Sequence, residues 1–126
     1  YRGRSGPRYD DKSVAWGFKT PTYSNGAAYA DLDNDGDLDL ITNNIDDPAG
    51  VYQNQATTLF PENQWLRVKL DGAGANRFGV GAKVVLKYRD STGTALQVQQ
   101  LMPTRGFESS VEPVLTFGVG PRNVVD

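Results

Sequence analysis

The stretch ADLDNDGDLDL, Ala30 to Leu40, places aspartate at every second position from 31 to 39. Five carboxylates this close repel one another, so a folded chain tolerates them only where solvent screens the charge or a positive charge sits among them. Oxygen-rich clusters suit a hard cation, and Ca²⁺ takes six to eight oxygens at roughly 2.3–2.6 Å. Asp31, Asp33 and Asp35 stand at loop positions 1, 3 and 5, where their side chains converge if the backbone curls. Gly36 at position 6 allows the sharp turn that closes the curl. Asp37 at position 7 offers its backbone carbonyl, and Asp39 at position 9 a further carboxylate. Leu32, Leu38 and Leu40 are interspersed as anchors, which a solvated acidic tail does not need.

An EF-hand requires a bidentate Glu at position 12, but that residue is Thr42, inside an expected strand. The expectation is therefore a β-framed loop in which Asp31, Asp33, Asp35, Asp37 and Asp39 bind Ca²⁺. Mg²⁺ fits less well because it keeps more water and takes fewer protein ligands. The plainer alternative is an acidic surface turn without a metal. A glycosidase pair needs two carboxylates about 5–9 Å apart across a cleft, which five aspartates on one loop do not resemble.

The 126 residues amount to one ordinary domain or two small modules. Fourteen glycines and seven prolines are spread among β-branched and aromatic residues, a pattern of short strands and turns. Alternation in QWLRVKL puts Leu66, Val68 and Leu70 on one face, and in AKVVLKY it does the same for Ala82, Val84, Leu86 and Tyr88. DSTG, Asp90 to Gly93, has hairpin-turn chemistry, with TALQVQQL as the returning strand and PVLTFGVG as a last one. Ala27 to Ala30, Leu38 to Thr42 and VYQN form the earlier strands, and WGF, Trp16 to Phe18, is a first apolar anchor after an irregular lead-in. No segment has a helical period. The fold expected is mostly β, with antiparallel strands in two modules, 1–60 and 61–126: one propeller-blade-like repeat packed with a small β-sandwich-like module.

Several functions are disfavoured on composition. Histidine and cysteine are both absent, which removes Ser-His-Asp and Cys-His nucleophiles, disulfides and thiolate metal sites. Residues 1–60 hold five Lys/Arg against nine Asp/Glu, and residues 61–126 eight against six, so neither half has the basic patch of a nucleic-acid binder. No apolar run approaches the roughly 18 residues of a membrane span. With no initiator Met and no signal peptide, the sequence reads as a piece of a longer protein.

AAYADLDNDGDLDLITNN resembles the calcium-binding repeat of FG-GAP/VCBS proteins, whose blades form β-propellers, and VYQNQ resembles the end of such a repeat. The second module resembles the ASPIC/UnbV domain through Trp65-Leu66, Val68 and Leu70, Asn76-Arg77, Gly81-Ala82 and Val84, Gly106-Phe107-Glu108-Ser109 and Phe117-Gly118-Val119-Gly120. Together the resemblances span residues 23–126. A single repeat does not close a propeller, so neighbouring repeats of a longer parent are implied. The ASPIC/UnbV pattern normally continues past Asp126 into another strand carrying Trp-Pro, which leaves an edge to be capped otherwise.

Weaker signals read structurally. TRGFESS begins like the RNA-binding RNP1 pattern but has Glu108 and Ser109 where Gly or Ala and an aromatic belong, and is expected to be a loop. FGVGAKVV precedes a strand rather than a helix, so it is no dinucleotide fingerprint. Asn76 and Arg77 are expected to brace their Gly-rich loop, Arg77 through backbone carbonyls or an acid such as Glu108. Trp16, Tyr23, Tyr29, Tyr52 and Trp65 could make a sugar-stacking platform, though aromatics of small β modules are more often core. The expected function is a non-catalytic, extracytoplasmic calcium-binding module (secreted, periplasmic or cell surface) that engages an unknown protein or glycan, the calcium being structural. The alternative is an accessory, carbohydrate-binding part of a polysaccharide-active enzyme.

Overall fold

The computed structural model describes residues 2–3, 8–90 and 93–121, so the tip of the expected DSTG turn, Ser91 and Thr92, lies outside the described residues. The elements in chain order are β1 (Arg2–Gly3), β2 (Tyr9–Asp10), β3 (Ser24–Ala30), β4 (Asp39–Asn44), β5 (Gly50–Tyr52), α1 (Ala56–Leu59), β6 (Gln64–Lys69), β7 (Lys83–Asp90), β8 (Gly93–Gln100), β9 (Thr104–Gly106), β10 (Ser109–Ser110) and β11 (Val114–Gly120). The protein is mostly β, and every strand pairing is antiparallel.

Four differences from the sequence reading appear. The lead-in carries a minimal pairing, β1 with β2. TRGFESS is a tight hairpin, β9 with β10, rather than a plain loop; Glu108 sits at its turn with φ 47°. A single helical turn, α1, follows β5, and four residues are too short to leave a periodic signal. Trp16 is exposed, so the anchor of WGF is Phe18, whose ring lies 4.7 Å from that of Tyr52.

The core lies between two two-stranded sheets, β6–β11 and β7–β8. Leu86, Leu101, Leu115, Phe117 and Val119 are buried there, with Leu66, Val68, Leu70, Val84 and Tyr88 packed against them. These are the faces set by the period of two, since Lys83, Val85, Lys87 and Arg89 point outward. On β8 the half-buried positions include Gln97 and Gln99. Their amides donate to the carbonyls of Gly118 (2.7 Å) and Thr116 (2.7 Å), so β8 supplies side-chain partners to β11 across the gap between the sheets.

The three-stranded sheet is the meander β3–β4–β5, in register from Ala30↔Asp39 back to Gly26↔Asn43, with a shift before the last pair, Ser24↔Asn44. Besides the Phe18–Tyr52 contact, two places join it to the second half of the chain. Ser109 on β10 is buried, accepts from Ala27 N (2.9 Å) and donates to Phe107 O (2.7 Å). At the opposite end, the acidic loop between β3 and β4 meets β6.

Candidate metal centre

The loop 31–38 leaves β3 and returns as β4, so its two ends are fixed by the Ala30↔Asp39 pair. Within it Asn34 (φ 63°) and Gly36 (φ 94°) take left-handed backbone, which bends the chain twice in three residues. The bends divide the five aspartates into two groups. Asp31, Asp33 and Asp35 converge, each offering one carboxylate oxygen within 4.8 Å of the others. An ion 2.3–2.6 Å from each oxygen would hold any two of them at most about 5 Å apart, so the three fit around one Ca²⁺-sized cation.

Asp37 and Asp39 are buried and stand outside that group. Asp39 accepts from Leu32 N (3.0 Å) with one oxygen and from Asn54 N (2.8 Å) with the other. Asp37 accepts from Thr57 N (2.7 Å) and Thr57 Oγ1 (3.0 Å) through a single oxygen. These carboxylates clamp the segment after β5 to the loop. The structure does not bring the side chain of Asp37 or Asp39 into the cluster of three.

In each of the three converging carboxylates one oxygen accepts a hydrogen bond from nearby protein. Asp31 Oδ2 accepts from Gly36 N (3.1 Å), Asp33 Oδ2 from Gln53 Nε2 (2.7 Å), and Asp35 Oδ1 from Asp37 N (2.8 Å). Of the remaining oxygens, Asp35 Oδ2 has only a long contact from Thr57 Oγ1 (3.4 Å). Asp31 Oδ1 is buried without a hydrogen-bond partner, on a side chain only 6 % exposed. A buried carboxylate oxygen without a donor is costly unless a cation or donor meets it. This orphan oxygen is a second observation, separate from the clustering, at a group of three carboxylates that could hold a metal ion.

The second half of the chain adds charge of its own. Arg67 on β6 lies with Nη1 3.6 Å from Asp31 Oδ2 and pairs through Nη2 with Glu112. Its side chain is 28 % exposed, so the array is partly shielded from solvent. Replacing Arg67 with glutamine should cost about 1 kcal/mol at low ionic strength and less at high salt, read from melting temperatures in both. A loss that ignores salt would mean that Arg67 acts through packing alone.

Sequence reasoning missed Gln53, Thr57, Arg67 and Glu112. Their roles depend on contacts across 20 to 45 residues of chain, as for Thr57 with Asp37 and Arg67 with Glu112, which no local pattern encodes. The brace of the Gly-rich loop falls on Asn76, whose side chain accepts from Val80 N (2.9 Å) and donates to Val80 O (3.0 Å). No ion pair joins Arg77 to Glu108 among the described residues; both are exposed.

Residues 72–126 match the ASPIC and UnbV family, a match that begins within the expected second module. Over 98 residues the chain is 35% identical to Cartilage acidic protein 1 of Xenopus tropicalis, an alignment covering 75% of this chain and 14% of that protein. The chain thus corresponds to a small part of that relative.

Proposed function

We propose that this chain is a non-catalytic, calcium-stabilised interaction module from an extracytoplasmic protein, with Asp31, Asp33 and Asp35 as the carboxylate ligands. The observation that carries this reading is the convergence of those three carboxylates beside the unpartnered Oδ1 of Asp31. The ion neutralises the repulsion and fixes the loop, so its role is structural. Asp37 and Asp39 are the frame of the site. The reading takes residues 1–60 as a lead-in with one FG-GAP/VCBS-like repeat and 61–126 as the ASPIC/UnbV-like module. The likeness to a protein named for cartilage supports an extracytoplasmic setting and a protein or glycan partner. There an affinity of about 10⁻⁴–10⁻³ M suffices, as in other extracellular calcium modules.

Thermal melts in EDTA, in Ca²⁺ and in Mg²⁺ test the proposal. At free Ca²⁺ a hundredfold above Kd the expected gain is about 2.7 kcal/mol. Asp33→Ala should abolish the gain while leaving the EDTA melt close to that of the wild type, because Asp33 is exposed. Coincident melts in all three conditions would overturn the metal assignment.

A further inference from the structure

A cleft of about 240 Å³ lies between the acidic loop, α1 and the β6–β11 sheet, lined by Asp37, Thr57, Asn63, Gln64, Trp65 and Gly118 among others. It does not include Asp31, Asp33 or Asp35. Its volume is below the roughly 300–1,000 Å³ of sites for drug-sized ligands, which suits one ring unit. Trp65 is 43 % exposed, although it faces the interior of no sheet and is packed at Gly36. The reason for the opening is its cross-strand partner. Trp65 pairs with Gly118, where a Cβ would meet nothing within 4 Å, so no side chain covers the space beside the indole. An exposed indole next to a bare strand position is apolar surface held open.

The polar groups around it complete a recognisable chemistry. Asn63 and Gln64 stand next to the tryptophan in sequence, both exposed, and their amides have no hydrogen-bond partner among the described residues. Each amide offers a donor and an acceptor, the pair that two adjacent hydroxyls of a sugar require. The one charged lining group is Asp37, an acceptor for a hydroxyl and a source of repulsion for an anionic ring. We propose that this cleft binds one ring of a neutral saccharide, its C–H face stacked on Trp65 and its hydroxyls held by Asn63, Gln64 and Asp37. This specifies the ligand of the interaction module and rests on that reading for the presence of a glycan partner; the site itself uses none of the converging carboxylates.

The test uses the 126-residue chain with Trp16→Phe, which leaves Trp65 as the only indole. Cellobiose, maltose, lactose and N,N′-diacetylchitobiose are titrated against its emission, in Ca²⁺ and in EDTA. At least one should give a saturable change, with Kd on the order of 1 mM. Gly118→Val fills the cleft at a position with free space, so it should weaken binding at least about tenfold with an unchanged melt. Should that variant melt early, Asn63→Ala/Gln64→Ala decides in its place, with the same loss expected. No saturation by any of the four sugars, or undiminished binding in the filled cleft, overturns the proposal. Saturation in EDTA together with coincident melts would sink the calcium reading and leave the saccharide site standing. A calcium-dependent melt without saturation would do the reverse.

Discussion

Replacing Asp39 with alanine is expected to destabilise the chain by about 3–6 kcal/mol, and added Ca²⁺ should not restore the loss. The residue is 2 % exposed and each of its oxygens accepts from a different backbone amide, Leu32 N and Asn54 N. Hydrogen bonds to a charged group contribute about 1.5–3 kcal/mol each, and alanine leaves both amides unpaired. Because those donors belong to opposite sides of the loop, their release frees its entry and the segment after β5 together. Asp39→Asn keeps one acceptor and should lose roughly half as much. Urea unfolding in EDTA reads these losses without interference from the ion. A variant that keeps its stability in EDTA yet no longer gains from Ca²⁺ would show Asp39 to be a ligand instead.

The second large effect is at Gly36. Its φ of 94° is open to glycine and strained for alanine, costing about 1–2 kcal/mol. A Cβ there would also lie 2.6 Å from Trp65 Nε1, and displacing a packed side chain typically costs another 1–3 kcal/mol or so. The expected total for Gly36→Ala is about 2–5 kcal/mol. The two contributions separate in a double-mutant cycle with Trp65→Ala. If the indole is the obstacle, Gly36→Ala costs less once Trp65 is gone, down to the backbone part alone. Strict additivity would assign the whole loss to the backbone.

Much of the fold was legible because period-two alternation is a local signal. Leu66, Val68 and Leu70 face the core while Trp65 and Lys69 are exposed, and Val84, Leu86 and Tyr88 likewise face inward. The curl of the acidic loop was legible too, since Gly36 lies in the left-handed region at the expected turn. The convergence of Asp31, Asp33 and Asp35 was legible from their alternate spacing. The task of the other two carboxylates was not: Asp39, expected as a further ligand, and Asp37 accept from the distant amides of Asn54 and Thr57, which spacing does not encode. The hairpin around Glu108 escaped for a similar reason. Its pairing is confined to a few residues, and its turn relies on a non-glycine in left-handed backbone.

Five of the donors that shape the acidic loop are main-chain N–H groups: those of Leu32, Gly36, Asp37, Asn54 and Thr57. A main-chain donor is indifferent to the side chain it carries, except in proline, which has none. A change at Asn54 or Thr57 therefore keeps the N–H ties to Asp39 and Asp37 and loses the side-chain bonds to Leu38 O and Asp37, whereas a change at either aspartate loses the ties themselves. Over a lineage, such wiring would leave the acidic stretch nearly fixed beside a neighbour under weaker constraint, with proline the one residue that breaks the main-chain ties at 54 and 57.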